Sequence, residues 1–152
     1  LALRILRHLR RAAGWVARHH TFKPEVGMGI AAPQLGIAYR IAIIRKPYSE
    51  QFIELINPRV IAEGSERADE YEGCLSFFDV RGIVRRPISV TVAHDQLDGE
   101  PASTIFTGNL ARSVQHEIDH LNGKLYTDDD RMPPGIEPIP VADYRAIRDT
   151  VA

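Results

Sequence analysis

His116-Glu117-Ile118-Asp119-His120 is the densest run of chemically able side chains in the sequence. On a helix, residues four apart share a face, so both imidazoles can reach one metal ion. Glu117, one position after the first histidine, stands beside the open side of such an ion. A carboxylate there can take a proton from a metal-bound water, which is the logic of this five-residue pattern in hydrolases. The bland alternative is two surface histidines paired by accident. The intervening glutamate and an apolar stripe at Leu110, Val114, Ile118 and Leu121 weigh against it.

Two imidazoles leave a catalytic site one protein ligand short. Downstream, Asp128, Asp129 and Asp130 offer carboxylates, although they read as the acidic run of a loop. Upstream lies Cys74, within Glu72-Gly73-Cys74-Leu75-Ser76. A lone cysteine is commonly a small buried hydrophobe. This one sits between expected strands, beside Gly73 and Ser76, where backbone can approach a ligand. A thiolate with two imidazoles suits zinc or ferrous iron. A third segment, Gly27-Met28-Gly29-Ile30-Ala31-Ala32-Pro33-Gln34, reads by itself as a flexible turn. No helix follows it to make a phosphate site. It does offer small-residue backbone against which a substrate strand could lie, with Gln34 as a neutral donor at its end.

The elements that must position these groups are legible in outline. Residues 1–20 read as an amphipathic helix, with Leu3, Leu6, Leu9, Ala13 and Val16 on one stripe and Arg4, Arg7, Arg11 and Arg18 off it. Its arginines and lack of acids superficially match an organellar transit peptide. It has no serine, however, and its stripe runs into the glycine-rich segment, so a surface helix is expected. Strands are expected at 41–44, at 52–56 closed by Asn57-Pro58, at 88–93, and at 104–107 after the Asp98-Gly99 turn. Residues 108–121 return to helical spacing, with Gly123 as a stop. Residues 129–152 read as an irregular, exposed tail with a short helix at 142–150. The order implies an α+β fold: an N-terminal helix, antiparallel or mixed sheets, and the His116–His120 helix packed among them.

With 152 residues, 44% hydrophobic and 26% charged, the chain is expected to form one domain, 1–152. One cysteine rules out an internal disulfide framework and fits a reducing compartment. A formal charge of -1 gives no global basic field for nucleic acid, and no apolar run approaches the length of a membrane span.

The three segments together resemble the peptide deformylase family. Residues 27–34 are similar to its first motif, with Ile30 where leucine is usual; residues 72–76 match the second letter for letter, and residues 116–120 match the third. The similarity runs from the helix before Gly27 to about Asp128. It implies Cys74, His116 and His120 as ligands of one divalent metal, ferrous iron in the cell, with zinc, nickel or cobalt able to replace it. It implies Glu117 as general base in hydrolysis of the formyl group of N-formylmethionyl peptides, releasing formate. Gln34 and the Leu75 backbone N–H would hold the oxyanion. The peptide would lie as an extra strand along Met28, Gly29 and Gly73. Arg81 stands where the family has a cleft arginine, although a solvated loop arginine explains it as well. The implied partners are N-formylated peptides and nascent chains at the ribosome, with no direct nucleic-acid or membrane binding. The implied location is a bacterial cytoplasm, in preference to an organelle.

The sequence also departs from the family. The methionine pocket would be built partly by Ser113 and Asn109, where the family has apolar residues, which lowers the gain from burying an apolar side chain and leaves a less methionine-like first residue, or a different N-formyl compound, as the alternative substrate. Phe77-Phe78 replaces an aliphatic-proline pair. Only 26 residues precede Gly27, and a proline-broken tail stands where bacterial members carry a long helix. A compact variant or an omitted upstream part would each account for this. Three rival readings remain: a generic zinc metalloprotease, a non-catalytic binder of formylated N-termini, and a structural metal site. The first does not need Cys74, Glu72 or Gln34, the second needs neither Glu117 nor Gln34, and the third normally closes with four protein ligands.

Overall fold

The computed structural model describes residues 1–19 and 28–151; His20, at the end of the expected helix, and Gly27, which opens the glycine-rich motif, lie outside them. Helix α1 spans Ala2–His19 and buries Ile5, Leu6, Leu9 and Ala13. The buried face is therefore rotated from the expected stripe. Its centre lies between Leu9 and Ala13, so Ile5 comes inside it and Leu3 turns outward, 62% exposed, while Val16 is half-buried near the end of the helix. This face packs on Met28, Ile30, Ala32, Ile41 and Ile43. Leu9 is fully buried there, and truncating it to alanine would cost about 2–5 kcal/mol.

Strand β1, Gly29–Ala31, runs into a 3-10 turn at Ala32–Leu35, followed by β2 at Ile41–Arg45 and β3 at Phe52–Glu63. With β6 (Ser89–Asp95) and β7 (Pro101–Thr107) these form a five-stranded antiparallel sheet in the order β1-β2-β3-β6-β7. Residues 41–44 are all buried, as a strand covered on both faces requires. β3 does not stop at Asn57-Pro58 as expected. The chain bulges there, with Asn57 at φ 50° and a register shift between Ile56 and Arg59, and pairing then resumes. A bulge tolerates the missing proline N–H, so the turn signal becomes a kink within one strand.

The second sheet is a long hairpin of β4 (Arg67–Cys74) and β5 (Phe77–Pro87), turned at Leu75-Ser76 and extended by β8 at Ile139–Pro140. Helix α2, Gly108–Leu121, lies between the sheets. Ala111, Val114 and Ile118 pack on Ile44, Leu55, Val90, Val92 and Phe106 of the first sheet. Gln115, Glu117, Asp119 and His120 are also buried, so polar groups occupy much of its remaining surface. Buried polar groups need partners, and Gln115, Asp119 and His120 obtain them from β4, β5 and the C-terminal segment.

That segment, expected as an irregular, exposed tail with a short helix, is largely exposed and is tied to the fold at a few points. Met132 is buried, Ile139 pairs with Arg81, and α3 (Val141–Val151) packs on β5. All described strand pairings are antiparallel, and the architecture is α+β.

Candidate active site

Cys74 ends β4, while His116 and His120 lie one turn apart on α2. One donor atom from each of the three falls within 4.8 Å of the others. Cys74 Sγ lies 3.2 Å from His120 Nε2. Asp128, Asp129 and Asp130 are not part of this cluster; Asp128 accepts the Leu125 N–H and Asp130 pairs with Lys124. Burial opposes the Cys74 thiolate, but hydrogen bonds with His116 and His120 outweigh it and hold the thiol down at about 5. Burial likewise disfavours the His116 imidazolium, yet Cys74 and Glu72 raise its pKa to about 10. A negative sulfur between two imidazoles is the charge state in which cysteine ligates metal. The donor set fits one divalent ion, which would take the place of the shared proton.

The orientation of His116 is fixed from behind. Its Nδ1 donates to Glu72 Oε2 at 3.0 Å, leaving Nε2 to face the cluster. Glu72 is gripped by Arg86 through two bonds of 2.6 and 2.9 Å, and by Arg112 Nη1 at 2.8 Å. Burial alone would raise the Glu72 carboxyl. The bonds from His116 and Arg86 instead hold it well below the usual carboxylate range. Arg86 continues to Asp119 Oδ2 at 2.8 Å, and Asp119 receives Arg131 through both oxygens. Tyr126 stacks on the His116 ring at 5.9 Å and on Phe77 at 5.3 Å. Of these supports Glu72 and Asp119 fall inside motifs. Arg86, Arg131 and Tyr126 carry no linear signal for the role, because pairing across sheets is visible only once the strands are placed.

Glu117 faces the same space. It is 3% exposed, and its Oε2 is buried without a hydrogen-bond partner among the described residues. Burial raises its carboxyl to about 7 despite the opposing charges of His116 and His120. A Cβ at Gly29 would overlap the Glu117 carboxylate. Opposite, the Gln34 amide is pinned: its Oε1 accepts the Ala31 N–H at 2.8 Å, and its Nε2 donates to Ser76 Oγ at 3.0 Å and toward Cys74 Sγ at 3.7 Å.

A cavity of about 250 Å³ opens over these groups. Met28, Gly29, Gly73, Leu75, Arg81 and Ser113 all line it. Asn109 does not; it is exposed at the start of α2, and its carbonyl accepts the Ser113 hydroxyl at 3.1 Å. Arg81 is a half-buried strand residue rather than a loop arginine. It lies against Gly73, where a Cβ would meet Arg81 Cζ at 2.6 Å, and donates to the Phe78 and Val80 carbonyls. Phe78, of the Phe77-Phe78 pair expected to reshape a cleft wall, also lines it, and sequence reasoning missed three further wall residues, Tyr71, Arg112 and Tyr144. The last arrives from α3, 5.9 Å from the Arg81 guanidinium and 5.1 Å from Tyr71. The cavity lies between two sheet edges, β1 and β4, which are the terminal strands of their sheets.

Residues 7–133 match the family model of polypeptide deformylase. The chain belongs to this family. Peptide deformylase 3 of Streptomyces avermitilis is 41% identical over 121 residues, covering 71% of this chain and 54% of that protein. The chain thus spans about half the length of that relative. A peptide deformylase crystal structure from Plasmodium falciparum superposes with TM-score 0.74 at 28% identity, covering 97% of this chain and 78% of that one. A class I type b peptide deformylase from Acinetobacter baumannii, bound to Met-Ala-Ser, gives TM-score 0.59 at 42% identity, covering 64% and 67%.

Proposed function

We propose that the protein hydrolyses the N-terminal formyl group of formyl-peptides, releasing formate and a free amine. The observation that carries this is the buried, unpartnered Oε2 of Glu117 beside the Cys74, His116 and His120 donor set. A protease of the two-histidine type shares the glutamate but has no use for the Gln34 amide pinned across the site. A binding module needs no buried base.

A divalent ion held by Cys74, His116 and His120 supplies Lewis acidity that polarises a carbonyl and acidifies water. The remaining steps belong to the chain's own groups. Glu117 Oε2 takes the proton of the attacking water and returns it to the departing nitrogen. The Gln34 Nε2 amide and the Leu75 N–H donate to the formyl oxygen as negative charge gathers there. The peptide enters as an extra strand between β1 and β4, which line the cavity at Gly29 and Gly73. Met28, Arg81 and Ser113 bound its path.

The resident metal is proposed as ferrous iron, with zinc, nickel or cobalt competent in its place, and the working compartment as a reducing cytoplasm. No described helix is long and apolar enough to cross a membrane. The substrate is an N-formylmethionyl peptide or nascent chain, the class to which the Met-Ala-Ser ligand of the Acinetobacter baumannii structure is related. Arg112 and Ser113 in the cavity wall favour a second reading, tolerance of first residues less apolar than methionine. Formate release from formyl-Met-Ala-Ser by anaerobic, iron- or nickel-loaded protein tests the main reading. Cleavage of internal peptide bonds without formate would replace it with a protease.

A further inference from the structure

The net charge of -1 conceals a segregation. Residues 1–19 hold five arginines and no acid, leaving 14 cations against 20 acids in the rest of the chain. In α1 all five arginines are exposed, and only Arg10 has a carboxylate partner among the described residues, Glu54. Arg4, Arg7, Arg11 and Arg18 follow helical spacing, so they fall within a narrow arc directly opposite the buried Ile5, Leu6, Leu9 and Ala13. At 1.5 Å per residue the row is about 21 Å long.

We propose that this outer face of α1 is a docking surface for the phosphate backbone of RNA. Each cation is an arginine, whose planar fork matches phosphate oxygens. Protein interfaces deplete charge at their centre, whereas charge forms the centre of this face. Insertion into a membrane would need the apolar face of α1, which is already packed against β1 and β2. A regular row of guanidinium groups with no acid among them is the electrostatic footprint of a polyanion site.

The test uses the full chain, a fluorescein-labelled RNA hairpin, and the single tryptophan, Trp15 on α1, as a second reporter. Anisotropy should report binding whose log K falls against log salt with a slope of about -3 to -4, as four neutralised phosphates predict. Replacing Arg4, Arg7, Arg11 and Arg18 together by glutamine, a good helix former, should weaken binding by roughly 100-fold and flatten the slope by about one unit per arginine. Formyl-peptide turnover and the melting temperature should stay unchanged, so the result does not depend on the catalytic reading. Unaltered RNA affinity in that variant would overturn the proposal. So would wild-type protein that prefers polyglutamate, or that binds phosphatidylserine vesicles in preference to RNA. The wild-type salt slope decides independently of the variant: a slope near zero sinks the idea.

Discussion

Gly29 lies so close to the Glu117 carboxylate that no side chain fits between the β1 backbone and the buried base. The cleft wall and the proposed catalytic group thus share one constraint. Gly29→Ala should push Glu117 out of line, and a displacement of about 1 Å can cost 10²-fold in rate. Because Cys74, His116 and His120 lie away from this contact, metal content should stay at one ion per chain. A fall in kcat at constant metal stoichiometry is the expected outcome; unchanged kcat would mean that the glutamate position does not matter.

Glu117 acts as a base only when ionised. Burial raises its carboxyl to about 7, and a divalent ion nearby pulls it back toward lower pH, because positive charge favours the carboxylate. Activity should therefore be full above this pKa and fall as pH drops through it, with an acid limb at or below about 7. Glu117→Gln should lower kcat by roughly 10²–10⁴-fold, keep the metal and abolish that limb. A persisting acid limb in the variant would assign it to another group.

Arg86 joins Glu72 to Asp119 in a site from which water is almost excluded, so its removal leaves two buried carboxylates without their shared cation. Arg86→Ala should destabilise the fold by about 3–5 kcal/mol in urea titrations. The pH sign follows from Glu72, whose folded pKa lies below its unfolded value near 4.5. Its stabilising contribution is present above the unfolded value and lost progressively as pH falls below it. The variant should show a flatter loss of stability over this acidic window than the wild type.

How much of this was legible follows from what each residue signals locally. The α2 helix, β2, β6, β7 and the three motifs announced themselves by periodicity or by residue type at fixed spacing. The β4–β5 hairpin did not. Its strands carry charges that pair across the ladder, such as Asp69 with Arg85, in place of an apolar alternation. Leu3 was misplaced because a stripe drawn through Leu3, Leu6, Leu9, Ala13 and Val16 leaves out Ile5, whose burial turns the helix. The proline-rich tail concealed Arg131, Met132 and Tyr144, whose partners lie on α2 and β5, distant in sequence. Asn109 lies on α2 as the helical spacing indicates, exposed and outside the cavity lining.

The cavity wall leads to a prediction about substrate. Where a methionine side chain would seek apolar contact, Ser113 contributes a hydroxyl turned back to the Asn109 carbonyl, and Arg112 contributes the edge of a guanidinium already bonded to Glu72, Val84 and Ala68. Neither surface rewards burial of a thioether as an aliphatic wall would, at roughly 25 cal/mol per Å². Discrimination between formyl-Met and formyl-Gln peptides should therefore be shallow, with kcat/KM values within about tenfold of each other. Ser113→Leu restores an apolar patch without touching the metal donors or Glu117. It should raise kcat/KM for formyl-Met by roughly tenfold over formyl-Gln, mostly through KM, because the side-chain contact is made equally before and during reaction. A wild-type enzyme that already prefers formyl-Met by several hundredfold would show that the pocket draws its selectivity from walls other than Arg112 and Ser113.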